Sequence, residues 1–500
     1  MLMTFEEVWE SEGVGDFVVG VGKRVVVFSS DPVVEGVLRG EFEGRGDWSV
    51  VFVGVGDGFE RVSERCFRVG VGDVGDVAAC FSAVEELLGG VDCVVYLWGV
   101  EDRAHVVDAS GLVCVIQGLS RAGVRPERLV VGAEFGDGLE RCYAESLIGF
   151  SRSLRMPLAG TFVSVVCRER VAGVVGVDAS GWAGVLWDEL NGGGADAVLY
   201  EGVGSRQVCR VRPVGLDEDC GGVLRRGGTY LITGGMGGLG KIFSDWLAAE
   251  YGANLVLVGR GELDDRRRAR VQELELAGAS VVYVSADVGD AAALRAAVEQ
   301  GKARFGGIDG VIHAAGLESR RSVVDKDVGE FHRVVRPKVA GTLALDEALS
   351  GESVDFVCYF SSSSAILGDF GGCDYAVGNR FLMSYAQYRE AVGGPGRAVV
   401  INWPLWNSEG MGVADADAAA FYLKSSGQRF LEAAEGTALF ERLLGQSRGG
   451  HLVLVGEPAK VARFVGVDPA EIEVGVCGGA DDAAQVSVSE GDGGRVAGPG

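Results

Sequence analysis

The chain has 500 residues and a mass of 52.3 kDa, more than one ordinary domain of about 100–200 residues holds. Its 46 basic and 71 acidic side chains leave a formal charge of −25, which argues against nucleic acid, a partner met by clustered Lys and Arg. Hydrophobic residues at 47% and charged residues at 23% supply a sizeable core and exclude a chain disordered throughout.

From Arg24 onward, short apolar runs at 25–28, 50–53 and 94–97 alternate with helix-length segments such as 77–88 and 105–122, a pattern that predicts parallel α/β structure. The alternation continues through 129–131, a helix near 143–154 and a strand at 162–166. It then loosens into Gly and Asp as far as Cys220-Gly221-Gly222, where a domain boundary is expected. At Thr229 it restarts more strongly, with strand 229–233, helix 241–251, strand 254–258 and helix 264–277. Further strands are expected at 280–285, 310–313, 355–360, 398–401 and 452–455, enough for a doubly wound sheet. Beyond Val467 large apolar residues become rare, so 470–500 reads as a flexible linker or tail. The expected division is therefore 1–222, 223–469 and 470–500.

Eleven cysteines lie scattered without a Cys-x-x-Cys pair, which fits a reducing cytoplasm better than a disulfide framework. The four histidines, His105, His313, His332 and His451, are far apart, so no metal site is expected. The first residues are acidic rather than leader-like, and no apolar run is long enough for a membrane span.

Thr233-Gly234-Gly235-Met236-Gly237-Gly238-Leu239-Gly240 follows a predicted strand and opens a predicted helix, giving Gly-x-Gly-x-x-Gly at Gly235, Gly237 and Gly240. Glycine permits the tight turn and the close approach of a pyrophosphate, and the helix N-terminus offers free N–H groups. At the end of the second strand stands Arg260, where NAD sites usually place an acid. An arginine there can pair with a 2′-phosphate, so the expected cofactor is NADPH. Asp287 and Val288, ending the third strand, are placed to meet the adenine.

Downstream stand His313-Ala314-Ala315-Gly316 at the end of the fourth strand, Lys338 in PKVAGT, Ser362 in FSSSSA, and Tyr375 with Asn379 in DYAVGN. The order Lys, Ser, Tyr-x-x-x-Asn resembles the short-chain dehydrogenase/reductases, and specifically the ketoreductase domains of modular polyketide synthases. Most free-standing members of that superfamily carry Tyr-x-x-x-Lys instead. The segment INWPLW, 401–406, is similar to ketoreductases of trans-acyltransferase assembly lines, and the opening 3–9 resembles the start of their structural subdomain.

The resemblance implies two Rossmann-like, doubly wound parallel-sheet subdomains, the N-terminal one truncated and non-catalytic. It implies NADPH-dependent reduction of a β-ketoacyl thioester on an acyl carrier protein, among neighbouring synthase domains. Tyr375 would donate the proton and Lys338 would favour its phenolate and hold the nicotinamide ribose. Ser362 would hydrogen-bond the carbonyl oxygen, and Asn379 would position Lys338 or a relay water. The loop from Thr233 to Gly240, with Arg260, Asp287, Val288, Ala314, Ala315 and Gly316, would bind the cofactor.

The Leu-Asp-Asp marker of D-hydroxyl ketoreductases is replaced by Leu317-Glu318-Ser319-Arg320-Arg321. Leu367 stands where the opposite group carries Trp, so the expectation leans to the L-hydroxyl, A-type product. Arg320 and Arg321 could meet a phosphopantetheine phosphate or an acidic carrier protein, or simply be solvated. Trp403, Trp406, Phe421 and Tyr422 are candidates for a lid or for ordinary core. Packing of the two halves against each other predicts a monomer. Reduction of a free small ketone and a catalytically silent docking module remain as alternatives.

Overall fold

The structure is a computed structural model describing residues 1–15, 22–46, 48–202, 204–217, 222–319, 321–407 and 416–472. Cys220 and Gly221 of the expected boundary, Arg320, and 473–500 of the expected tail lie outside the described residues.

The strands are β1 (Leu2–Ser11), β2 (Arg24–Phe28), β3 (Ser49–Gly56), β4 (Glu60–Arg61), β5 (Cys66–Gly70), β6 (Cys93–Tyr96), β7 (Arg128–Phe135), β8 (Phe162–Glu169) and β9 (Ala197–Glu201). They continue as β10 (Ser205–Pro213), β11 (Thr229–Thr233), β12 (Asn254–Gly259), β13 (Ser280–Ser285), β14 (Gly310–His313), β15 (Phe356–Ser362), β16 (Arg397–Trp403) and β17 (Gly450–Val455). All belong to one sheet. Two parallel blocks, β5-β3-β2-β6-β7-β8-β9 and β13-β12-β11-β14-β15-β16-β17, repeat the same winding order. The first is the shorter: β3 and β5 are joined through β4, whereas helix Asp265–Leu276 joins β12 and β13.

Antiparallel strands β10 and β1 join the blocks. β1 pairs with β17 over Leu2–Phe5 and with β10 over Phe5–Ser11. Both joining strands, β9, and helix Ala179–Asn191 fall outside the predicted elements. The helix fills the stretch expected to be loose, and its Trp182, Ala183, Leu186 and Leu190 are buried under the sheet. The segment expected as one helix, 105–122, is instead Ala104–Val107 followed by Ser110–Ala122, with the Asp108 carboxylate accepting the Ser110 N–H at the break.

Apolar clusters cover both faces of each block. The blocks also meet through helices Gly138–Ser153 and Asp374–Ala391, where a Cβ on Gly149 would lie 2.5 Å from the Ala376 carbonyl oxygen, so only glycine admits this approach. Beside it Glu7 of β1 is buried between Arg152 and Arg380, one from each helix, and their charges hold its carboxyl below the usual range against the cost of burial. No helix among the described residues is long and apolar enough to cross a membrane.

Candidate active site

β11 ends at Thr233, and the chain turns at Gly234, whose φ of +69° favours glycine. The Gly237 N–H closes this turn on the Gly234 carbonyl at 2.8 Å, and Gly237 caps helix Gly238–Tyr251. Gly238, Leu239 and Gly240 form that helix's first turn. A Cβ on Gly240 would stand 2.1 Å from the Gly234 carbonyl oxygen, and one on Gly235 would stand 2.8 Å from Leu257 Cδ2. The turn thus rests on Gly234 as much as on the three spaced glycines. Its signal in the sequence is the doubled glycine directly after the strand.

Thr233 is buried, and its Oγ1 pairs with His313 Nδ1 at 2.7 Å and accepts the Ala315 N–H at 3.3 Å. It fastens β11 to the segment Ala314, Ala315, Gly316; the Ala314 N–H bonds the Thr233 carbonyl. Burial depresses His313 to about 3, so it is a neutral donor or acceptor here.

Between this turn, Gly316, and helix Val328–Ala348 runs a groove of about 650 Å³, lined also by Met236, Gly237, Arg260 and Asp287. The Arg260 side chain is exposed at the end of β12. Asp287 accepts the Gly289 N–H at 2.8 Å and pairs with Arg336 at 2.6 Å, and these bonds hold its carboxyl below the ordinary range. Val288 is buried, and a Cβ on Gly341 would meet it at 3.0 Å. A glycine turn at a helix N-terminus, on a groove that Arg260 also lines, fits a dinucleotide.

Lys338, on helix Val328–Ala348, is buried and donates to the Phe360 carbonyl of β15 at 2.9 Å. Burial lowers its ammonium to about 7. Its stem passes two glycines: a Cβ on Gly316 would stand 3.2 Å from Lys338 Cε, and one on Gly378 3.2 Å from its Cβ. Gly378, inside Tyr-x-x-x-Asn, is a contributor that sequence reasoning missed, because its reason lies on another helix.

Ser362 ends β15 and its Oγ accepts the Ser364 N–H at 3.2 Å. Tyr375 is in the first turn of helix Asp374–Ala391. Burial pushes its phenol up, while hydrogen bonds from Ser362 and Asn379 pull it down. Asn379 is buried, donates from Nδ2 to the Tyr375 carbonyl at 2.8 Å, and has a buried Oδ1 without a hydrogen-bond partner among the described residues. Its backbone carbonyl accepts Ser361 Oγ at 3.0 Å, tying helix to strand. The fold thus brings Ser362, Tyr375 and Asn379 into direct contact. Lys338 stands beside them, bonded to β15 rather than to Asn379.

The lid candidates separate. Trp403 and Trp406 pack in the core around Phe243, Phe360 and Phe440. Phe421 is 74% exposed, while Tyr422, on the same helix Ala416–Ser426, accepts Gln428 Nε2 at 2.9 Å. Arg321 is exposed and stands 3.7 Å from Glu330.

Residues 228–408 match the family model of the KR domain. The chain is 41% identical over 467 residues to polyketide synthase PksM of Bacillus subtilis, spanning 93% of this chain and 11% of that protein. It is 40% identical over 340 residues to polyketide synthase ThaG of Burkholderia thailandensis, covering 64% of this chain and 6% of that protein. The chain therefore spans a small fraction of the curated relatives it matches.

Among solved structures, an N-terminal ketoreductase from the macrolactin assembly line aligns with TM-score 0.79 at 24% identity, over 93% of this chain and 94% of that one. A ketoreductase domain from the bacillaene assembly line aligns with TM-score 0.66 at 25% identity, over 93% and 99%. The likeness extends through the first block, so the two-block fold is shared whole. The chain belongs to the ketoreductase domains of polyketide synthases, oxidoreductases of the short-chain dehydrogenase/reductase superfamily that use a nicotinamide cofactor.

Proposed function

We propose that this domain reduces a β-ketoacyl thioester, carried on the phosphopantetheine arm of an acyl carrier protein, to the β-hydroxyacyl thioester with NADPH. The observation that carries the reading is the contact of Ser362, Tyr375 and Asn379, with Lys338 packed against Gly316, which lines the same groove as the glycine turn and Arg260. The turn from Thr233 to Gly240, with Ala314, Ala315 and Gly316, holds the dinucleotide, Arg260 reads its 2′-phosphate, and Asp287 and Val288 border the adenine.

Bound there, NADPH supplies the hydride. As the ketone carbon accepts it, the carbonyl π pair moves onto oxygen, and Ser362 and Tyr375 hydrogen-bond the developing charge. Tyr375 gives its hydroxyl proton to that oxygen, leaving a hydroxyl on the product and a phenolate on the protein. The Lys338 ammonium favours that phenolate, and the negative charge of a bound dinucleotide favours the ammonium. The unpartnered Asn379 Oδ1 is free to accept from a relay water that reprotonates Tyr375.

The same reading makes 1–222 a structural subdomain, 223–469 the catalytic one and 470–500 a linker or tail. It places the domain in a trans-acyltransferase assembly line in the cytoplasm, as a monomer giving the L-hydroxyl, A-type product. The test is NADPH oxidation with a short β-ketoacyl thioester, with chiral analysis of the product. Tyr375→Phe is expected to cut kcat by about 10²–10⁴-fold with NADPH still bound. Equal turnover by that variant would remove Tyr375 from the chemistry, and a D-hydroxyl product would overturn the A-type assignment.

A further inference from the structure

Lys326 is a lysine with no solvent exposure, in the segment between β14 and helix Val328–Ala348. Its Nζ donates to Ser319 Oγ at 2.9 Å, to the Gly372 carbonyl at 2.9 Å and to Asp374 Oδ2 at 2.5 Å. The Asp374 carboxylate is equally buried. A buried ion pair is a poor source of stability, because desolvation cancels much of its attraction, so its position matters more than its strength. Asp374 immediately precedes Tyr375, and its Oδ1 accepts the Tyr375 N–H at 2.8 Å.

The turn entering this helix needs such a hold. Cys373 stands at φ +66°, in the region L-residues other than Asn and Asp rarely adopt. Asp369 bonds the N–H groups of Gly371, Cys373 and Ala376 from one side, at 2.9, 3.0 and 3.3 Å. Lys326 holds Gly372 and Asp374 from the other. Lys326 is itself anchored by the first half, since Gln117 Nε2 donates to the carbonyls of Val323 and Lys326, both at 2.7 Å.

We propose that Lys326 is a positioning residue for the reduction: acting through Asp374 and Gly372, it sets the strained turn that aims the Tyr375 hydroxyl. The proposal rests on Tyr375 being the proton donor. Its energetic basis is that a small misplacement of a reacting group costs rate without costing binding.

The test compares Lys326→Met, Asp374→Asn and the paired Lys326→Met/Asp374→Leu variant, with kcat, NADPH affinity by fluorescence titration, and thermal midpoint. Each single variant should lose about 10–100-fold in kcat at unchanged NADPH affinity. The paired variant leaves no buried charge alone, so its midpoint should return towards wild type while kcat stays low. A paired variant with wild-type midpoint and kcat within about 2-fold would overturn the proposal and leave the pair merely structural.

Should the paired variant not fold, Ser319→Ala and Gln117→Leu decide, because each loosens Lys326 without stranding a charge. A kcat lowered several-fold at unchanged KM for NADPH supports the proposal, and wild-type kcat in both overturns it. Turnover surviving in Tyr375→Phe would instead sink the reading on which it rests, whatever Lys326 does.

Discussion

The two blocks share a winding order and differ in what stands at the end of their first strand. In the second block β11 runs into a glycine turn whose backbone faces an open groove. In the first, β2 runs into Ser29-Ser30-Asp31, where Asp31 Oδ1 caps helix Pro32–Gly46 by accepting the Val33 and Val34 N–H groups and Glu101 covers the turn before it. The Glu101 carboxylate accepts the Ser29 hydroxyl, the Ser30 N–H at 2.8 Å and the Asp31 N–H at 3.2 Å. Where the second block leaves its turn facing a groove, the first spends its donors on the internal carboxylates of Asp31 and Glu101. A second contrast lies one layer away. Helix Asp374–Ala391 carries Tyr375 and Asn379, while its counterpart Gly138–Ser153 ends in Arg152 and Ser153, which bond the Ile366 carbonyl and the Asp369 N–H of the loop between Ser362 and Tyr375. On the proposed reading the repeated fold divides its labour: the second block performs the chemistry and the first braces it.

The contrast breaks most severely at Gly240. Gly240→Val needs a Cβ 2.1 Å from the Gly234 carbonyl oxygen, so NADPH affinity should fall by more than about 100-fold, read by fluorescence titration. Intact affinity would mean that the glycine turn is not the cofactor's seat. Next comes Arg152→Met, which strips Glu7 and Asp196 of a buried partner and should cost about 3–5 kcal/mol in denaturant unfolding. It should also lower kcat, since the Ile366 carbonyl loses its donor. A stable variant with full turnover would deny the first block its bracing role. The smallest effect is expected from Glu101→Ala, about 1–2 kcal/mol of stability with turnover unchanged and NADPH stoichiometry still one per chain. A stoichiometry of two would show that the first block needed only that carboxylate removed to bind.

Much of this was legible in the sequence, for reasons that differ by element. The buried parallel strands announce themselves as Val-rich runs, and all those predicted in the second half are present. The turn from Thr233 to Gly240 stands out by its local glycine spacing, and Lys338, Ser362, Tyr375 and Asn379 by an order that resembles the ketoreductases. β1 and β10 did not, because Glu6-Glu7-Val8-Trp9 and Arg210-Val211-Arg212 acquire meaning only across the sheet, where Arg212 meets Glu10 at 2.6 Å. Lys326 was invisible for the opposite reason: in VVDKDV it reads as a solvated charge, and only the fold shows it enclosed. Glu101 and Gln117 act on segments far along the chain, and no periodicity encodes such reach.

The placement of β1 governs the order in which the molecule can be assembled. Leu2 leaves the ribosome well before Val455, with which it pairs, and the two are separated by nearly all of the described chain. At translation rates of about 5–20 residues per second, that edge waits roughly 20–90 s for its partner. During the wait the first block can form its own parallel sheet and pair β10 with one stretch of β1. The Leu2–Phe5 stretch then presents unpaired backbone, a template open to any passing strand. Completion of the sheet is a late, long-range event, and the nascent chain must keep one seam open until the second block emerges.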